Sequence, residues 1–349
     1  MVDFIVAEQH LMNIFEGCLA YVNENLQREK NIQLDVKFHM DVEKQKIYAS
    51  AGKRPEGGYI VKVSMATYNI IEEYYSTMIC IKGFYNTMTL REEFNGGIAQ
   101  NYSRILIDMT LRTIIFHELG HIFNGHIDYI QFKIDEYKKL HPEVKEINYI
   151  PEYLEKSKEA RPYLTPIDWQ ALEWNADDFA ITRLIGQYTY KDNIDGDILK
   201  TIDQAFFMIT AAITSMYCLM DMNLAKDKDT INEYKLEEHL PKRFRLKKYC
   251  EVAVLATEKF NGIELFKGLN KEDYDSVIKR FEEWYVLYIK VKRGTLKEGE
   301  GLNEADETVE NNKDELDDIH IDYYKKVDEY YVKNLPLELD GFTYFKVYL

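Results

Sequence analysis

Cysteine is scarce in this sequence and follows no pattern that is typical of a metal or disulfide site. The 349 residues contain four cysteines, none in a CxxC pair: Cys18, Cys80, Cys218 and Cys250. A small extracellular protein would show a dense, paired cysteine framework, and a cysteine zinc site would show closely spaced pairs. The scarcity argues against both and predicts a reducing, cytoplasmic location.

Clusters of basic residues are also missing. Lys and Arg number 44 against 60 Asp and Glu, so the formal net charge is −16 and the pI lies near 5.1. A surface that binds nucleic acid or anionic lipid needs concentrated positive charge. We therefore expect no nucleic acid partner and no electrostatic membrane binding.

The sequence further lacks a recognisable export signal and a long apolar run. Asp3 and Glu8 occupy the stretch in which a signal peptide would carry positive charge. One run of seventeen residues without formal charge, Gln204 to Met220, is shorter than the roughly 20 residues of a membrane span. It contains Thr and Ser and has no flanking Lys or Arg. It is predicted to be a buried core helix, with a membrane segment as the alternative.

Hydrophobic periodicity predicts an α+β fold with a small mixed sheet and several helices. The first 30 residues have helical spacing, and three strand-like runs follow at 32–40, 46–51 and 59–65. The third run, "YIVKVSM", is expected to be the sheet edge to which an extended substrate adds. Helices are predicted near Ser103–Gly125, from Pro166, and near Lys271–Lys290, and the C-terminal half is expected to be mostly helical.

The chain divides into four predicted parts. An acidic stretch from Glu298 to Asp318 has ten acidic residues and one lysine, which is typical of an exposed loop. This loop either screens a cleft, recruits a basic partner or serves as a solvated linker. The parts are an N-terminal helix and sheet at 1–100, a helical catalytic part at 101–294, the acidic loop at 295–320, and a C-terminal helix and strand at 321–349.

The stretch "FHELGHIFNGH", residues 116–126, predicts a metal-binding helix. Residues four apart lie on one helix face, so His117 and His121 can present both imidazoles to a single ion, of which zinc is the most typical. Glu118 projects about 100° away, where it can reach a water on the metal and act as general base. The alternative is a pair of core histidines without a ligand.

Two residues compete to be the third metal ligand. His126 follows five residues after His121, about 140° further round the helix, and could bind only if Gly125 ended the helix and turned the ring back. Otherwise it is a pocket-wall or helix-end residue. Glu173 and Asp177 lie four apart on a predicted helix, so one carboxylate can bind the metal while the other holds a ligand imidazole. Glu173 is the stronger candidate.

HELGH followed by "EWNADDFA" resembles the gluzincin metallopeptidases over about residues 105 to 250. The similar groups are the HtpX and CaaX-protease type, the ImmA/IrrE type and the Lit-type phage-exclusion peptidases. The resemblance implies a zincin-like fold with active-site helices. It also implies zinc ligands at His117, His121 and Glu173, Glu118 as base, and Asp177 as the partner of a ligand imidazole. Because the first type has membrane spans and the second a helix-turn-helix, neither of which is found here, the soluble Lit-like type fits best.

The resemblance also implies a role for His239. "HLPKRFR", from His239 to Arg245, is similar to the HPxxxxR segment of the first type, with one extra residue between His and Pro. By that similarity His239 would donate a hydrogen bond to the oxyanion of the tetrahedral intermediate. A surface histidine beside a basic turn is the alternative.

Together these patterns predict a zinc-dependent endopeptidase. Its substrate would be a peptide or protein in the cytoplasm, cleaved by a zinc-activated water with Glu118 as base, in phage exclusion or a stress response, as the resemblance implies. A structural zinc site usually closes all four positions with protein ligands, cysteine among them, and no cysteine lies near these residues in the sequence. The alternative is a non-catalytic or regulatory zinc-binding module that holds a protein partner.

Overall fold

The computed structural model describes residues 4–25, 34–143, 163–189, 202–221, 245–246, 249, 252, 271–292 and 318–344. Most of these residues are helical, and a three-stranded sheet lies near the N-terminus, so the predicted α+β class is confirmed. The strands are β1 Val36–Asp41, β2 Ala49–Lys53 and β3 Tyr59–Ser64. The helices are α1 Phe4–Asn25, α2 Met65–Met78, α3 Lys82–Thr89, α4 Gly96–Phe123, α5 His126–Leu140, α6 Pro166–Thr189, α7 Ile202–Asp221, α8 Lys271–Lys292, α9 Asp318–Lys333 and α10 Leu335–Glu338.

The sheet is mixed, as predicted, with the strand order β1-β3-β2. Strand β3 pairs parallel with β1 and antiparallel with β2, so that Val61 lies between Phe38 and Ala51. Alternate side chains of β3 are buried, beginning with Tyr59, because one face of the strand packs against the helices. The prediction that β3 forms the edge is wrong, since both of its sides hydrogen-bond to other strands. Among the described residues the edges are β1 and β2.

Helix α4 lies at the centre of the helical part. It contacts α1, α2, α3, α5, α6 and α7 as well as strands β2 and β3. The helix begins before the predicted Ser103, because Asn95 caps it: the Asn95 Oδ1 atom accepts hydrogen bonds from the amides of Gly97 and Ile98 at 3.0 and 3.1 Å. Its fully buried apolar residues include Leu111, Leu119 and Ile122, so the metal motif lies inside the core.

Helix α6 begins as the sequence predicts. Thr165 and Asp168 form a capping box, in which the Thr165 amide donates to Asp168 Oδ2 at 2.5 Å and the Asp168 amide donates to Thr165 Oγ1 at 3.3 Å. The helix packs closely on α4 at Gly120. A Cβ atom at Gly120 would lie only 3.2 Å from the Ala176 Cα atom and from the Phe179 Cβ atom. The absent side chain therefore allows α4 and α6 to approach.

Helix α7 is a core helix, as predicted for the apolar run. Met208, Ile209 and Ile213 are fully buried against the other helices. Two of its buried hydroxyl groups have partners: Thr210 Oγ1 lies 2.8 Å from Tyr249 Oη, and Ser215 donates to Tyr74 Oη at 3.3 Å. None of the helices in the described residues has the length and apolarity that crossing a bilayer requires.

The C-terminal segment returns to the end of helix α4. The Tyr344 amide donates to the Phe123 carbonyl at 3.0 Å, and Phe342 packs so closely on Gly125 that a Cβ atom there would lie 2.4 Å from the Phe342 carbonyl carbon. Residues 342–344 form a turn and a bend rather than the predicted strand. The remaining residues of that prediction, 345–349, and the acidic stretch before Asp318 lie outside the described residues.

Candidate metal centre

Two histidines on α4 form the first part of the site. His117 and His121 lie one helical turn apart, and their Nε2 atoms approach to 3.1 Å. The rings stand almost perpendicular, with centroids 4.8 Å apart. The structure thus places both imidazoles on one face of a buried helix, as the i, i+4 spacing predicts.

Glu173 on α6 supplies a carboxylate to the same place. Its Oε2 atom lies 3.2 Å from His117 Nε2, and its Oε1 atom lies 3.5 Å from His121 Nε2. One ligand atom from each of the three residues lies within 4.8 Å of the others. Of the two candidates for the third ligand, the structure brings Glu173 to the two Nε2 atoms.

The distances and the donor types fit a divalent metal ion. A tetrahedral zinc ion with bonds of about 2.0 to 2.1 Å holds its ligand atoms about 3.3 to 3.4 Å apart. The 3.1 Å between the two Nε2 atoms and the 3.2 Å between His117 Nε2 and Glu173 Oε2 lie close to that value. The 3.5 Å from His121 Nε2 is measured to the other carboxylate oxygen, Glu173 Oε1. Imidazole and carboxylate also bind other first-row divalent metals, so the donor set alone does not select zinc.

Solvent reaches the three donors to a limited extent. The side chains of His117, His121 and Glu173 are 14%, 15% and 13% exposed. A site closed by four protein ligands has no such opening, whereas a catalytic metal site keeps one position for water or substrate. The partial exposure of all three side chains therefore fits a site that a small molecule or peptide can enter.

Asp177 holds the second ring nitrogen of His117. His117 Nδ1 lies 2.9 Å from Asp177 Oδ1, which leaves His117 Nε2 directed at Glu173. Although burial lowers it, hydrogen bonds to Asp177 and Glu173 raise the pKa of His117 to about 10. The buried carboxylate of Asp177 and the partly exposed one of Glu173 thus create strongly negative surroundings at this imidazole, which favour a cation.

Arg245 compensates for the charge of Asp177. Its guanidinium donates from Nε to Asp177 Oδ2 at 2.7 Å and from Nη2 to Oδ1 at 2.6 Å, and it stacks 4.6 Å above the Tyr217 ring. Although burial raises it, the charge of Arg245 holds the pKa of Asp177 well below its usual range. Arg245 ends the "HLPKRFR" segment, but the sequence predicts no role for it, because the pairing of residues far apart in the chain leaves no local pattern.

His126 contacts the other side of His121. Its Nδ1 atom lies 3.0 Å from His121 Nδ1, and its Nε2 atom lies 2.8 Å from Asn175 Oδ1. The side chain is fully buried, and burial followed by the nearby His121 lowers its pKa well below the usual value. Gly125 does end the helix, with φ at +77°, but it directs His126 to His121 Nδ1 rather than to the Nε2 atoms.

Of the two predicted catalytic residues, Glu118 lies within the described residues and His239 does not. Glu118 is on α4, directly after His117, with 8% of its surface exposed, and it is not one of the three clustered donors. The role of Glu118 as general base stays a prediction. His239 lies outside the described residues, so the predicted oxyanion donor is not located.

Comparisons of the chain with protein-family models, with curated proteins and with solved structures found no match.

Proposed function

We propose that this chain is a zinc-dependent endopeptidase of the gluzincin type, which hydrolyses a peptide bond in a cytoplasmic protein. The observation that carries the proposal is the convergence of His117, His121 and Glu173 on one point, with Glu118 beside them on the same helix. The resemblance of HELGH and "EWNADDFA" to gluzincin motifs, especially those of Lit-like peptidases, supports this assignment. It also supports a zincin-like fold and a role in phage exclusion or a stress response.

The chemistry divides between the metal and the protein. A zinc ion bound by these residues supplies a Lewis acid that acidifies water and polarises a carbonyl oxygen. Glu118 acts as the general base, taking a proton from the attacking water and returning it to the departing amine. Asp177, anchored by Arg245, keeps the Nδ1 proton of His117 in place, so that the Nε2 lone pair is available for binding.

The number of donors supports a catalytic rather than a structural role for the metal. Catalytic zinc sites use three protein ligands, whereas structural sites use four. The cluster in the described residues contains three donors and no cysteine. The alternative of a module that holds a partner through a structural metal has no comparable support.

The test combines metal content with cleavage of a mixture of fluorescence-quenched peptides. Glu118→Gln should retain zinc, because Glu118 is outside the ligand cluster, and should lose about 10² to 10⁴-fold in cleavage rate, because the base is gone. Glu136→Gln, an exposed glutamate on α5, is the matched control and should leave both quantities unchanged. Full activity in Glu118→Gln, or a wild-type chain that cleaves nothing although it holds zinc, would refute the proposal.

A further inference from the structure

We infer that His126 is a positioning residue of the metal centre, which fixes the proton and the ring orientation of His121 through an Nδ1 to Nδ1 hydrogen bond. The inference rests on the metal site of the proposed function, but not on the reaction assigned to it. His117 has a carboxylate in the corresponding place, that of Asp177. The two ligand imidazoles thus have partners of different chemistry.

The hydrogen-bond distances determine where each proton lies. Two ring nitrogens 3.0 Å apart share one proton, so one of His121 Nδ1 and His126 Nδ1 donates and the other accepts. Binding of a metal to His121 Nε2 places the proton of the neutral ring on its Nδ1, so His121 donates. The neutral His126 ring then carries its own proton on Nε2, where Asn175 Oδ1 accepts at 2.8 Å.

Asn175 fixes the far end of this chain of hydrogen bonds. The Asn175 Oδ1 atom also accepts from the side-chain amide of Asn124, whose Nδ2 lies 3.3 Å from the Asn175 main-chain oxygen. Asn124 is the C-cap residue of α4 and is buried. Asn175 and Glu173 both lie on α6, so one helix carries the hydrogen-bond partner of His126 and the third donor.

The backbone between α4 and α5 places His126 within hydrogen-bonding distance of His121. Gly125 has φ at +77°, a backbone conformation that residues other than glycine rarely adopt, and Phe342 leaves no room for a Cβ atom. The turn starts α5 at His126 and directs its ring back towards α4. Ring centroids of His121 and His126 lie 5.1 Å apart at an interplanar angle of 72°, which suits an edge-to-edge hydrogen bond rather than stacking.

A neutral partner has a different effect from a carboxylate. An anion would add negative charge and raise the basicity of the ligand imidazole, whereas a neutral ring orients the imidazole without adding charge. His126 adds no charge to a site in which Glu173 and Asp177 already contact the ligand histidines, and Arg245 pairs with Asp177. The role of His126 is geometric, so an uncharged acceptor should replace it.

The experiment measures zinc affinity by competition with a chromophoric chelator. His126→Phe keeps a ring but removes the acceptor, and we expect it to lower zinc affinity about 10 to 100-fold, the usual effect of losing such a partner. His126→Asn keeps an acceptor near the Nδ1 position and should recover most of that loss. Thr110→Val is the control: it removes a buried hydrogen bond between Tyr75 and α4, the helix that carries His117 and His121, and should leave zinc affinity unchanged.

Two further measurements separate positioning from folding. The first is the free energy of unfolding of each metal-free variant, which shows whether the chain folds. The second is the zinc affinity of Asn175→Leu, which removes the acceptor of His126 Nε2 and replaces His126→Phe in the test if that variant does not fold. Asn175→Leu should also weaken zinc binding, by less than His126→Phe. Equal zinc affinity in the wild type and His126→Phe would overturn the inference. So would a His126→Asn variant that binds zinc as weakly as His126→Phe does.

The same experiment distinguishes failure of the inference from failure of the proposed function. A chain that binds zinc, loses affinity in His126→Phe and cleaves no peptide supports the positioning role and refutes the peptidase. A chain that cleaves peptides, and whose zinc affinity is unchanged in His126→Phe, supports the peptidase and refutes the positioning role. A wild-type chain that binds no zinc refutes both.

Discussion

At the scale of single residues, the metal centre depends on giving each polar group a specific partner inside a buried region. Asp177 is 5% exposed and Arg245 is 7% exposed, so their ion pair is almost completely desolvated. Such a pair is retained for geometry more than for stability, because desolvation offsets most of the attraction. Here it holds the carboxylate that orients His117.

Glu173→Gln tests the ligand assignment at this scale. The substitution keeps the size of the side chain but replaces a charged carboxylate oxygen with a neutral amide, a much poorer metal ligand. We expect zinc retention to fall by more than the 10 to 100-fold typical of a residue that only orients a ligand. Competition with a chelator measures zinc retention in Glu173→Gln and, for comparison, in Glu118→Gln. Equal zinc retention in the two variants would contradict the assignment.

At the scale of elements, the site depends on the approach of two helices. Helix α4 carries both histidines, helix α6 carries Glu173 and Asp177, and Gly120 is the point of closest contact. A side chain at position 120 meets backbone atoms of Ala176, which cannot rotate away. The helices must then separate, and the metal donors of α4 move away from Glu173 on α6.

Gly120→Val is therefore expected to reduce both stability and metal binding. Overpacking of this kind costs about 1 to 3 kcal/mol of unfolding free energy. Gly96→Val is the matched control on the same helix, since a Cβ atom at Gly96 meets nothing within 4 Å, and a change within about 0.5 kcal/mol is expected. Chemical denaturation and zinc titration measure the two effects, and a stable Gly120→Val variant with normal zinc affinity would show that the close approach is unnecessary.

At the scale of the whole molecule, the C-terminal segment joins the sheet to the helices at Asp128. Lys53 on β2 lies 2.5 Å from Asp128 Oδ1, while Tyr59 and Tyr344 donate to Oδ2 at 2.6 and 2.7 Å. Although burial raises it, the hydrogen bonds from Lys53, Tyr59 and Tyr344 lower the pKa of Asp128. Three distant parts of the chain thus meet on one ionised carboxylate, close to the end of the metal helix.

The stability contributed by Asp128 should depend on pH. A carboxyl group whose pKa is lower in the folded state stabilises that state fully above its unfolded pKa, about 3.9, and loses this effect as the pH falls through the folded pKa. Asp128→Asn should cost about 1.5 to 3 kcal/mol at neutral pH, the usual value for hydrogen bonds to a charged group. That difference should shrink below about pH 4.

Urea unfolding at a series of pH values measures the effect. Asp135→Asn is the control, because Asp135 is exposed on the same helix, and a change within about 0.5 kcal/mol is expected. A deficit in Asp128→Asn that stays constant from neutral pH to pH 3 would show that ionisation of Asp128 is not its source.

The sequence by itself determined the local features of this protein. Helix periodicity, the Thr165 and Asp168 capping box and the one-turn spacing of His117 and His121 depend on residues within a few positions of one another, so they can be predicted without knowing the fold. The three strand-like runs were predicted for the same reason. The spacing of Glu173 and Asp177 on a predicted helix made Glu173 the stronger candidate for the third ligand, and the motif resemblance implied the same residue.

The tertiary structure decided what depends on residues far apart in the chain. Strand β3 lies in the middle of the sheet because strand order follows from packing and not from side-chain alternation. Arg245 pairs with Asp177, and His126 reaches His121 Nδ1, because neighbouring elements and the turn at Gly125 position them. A pattern of residue types specifies which atoms can bind a metal, whereas packing specifies which of them meet.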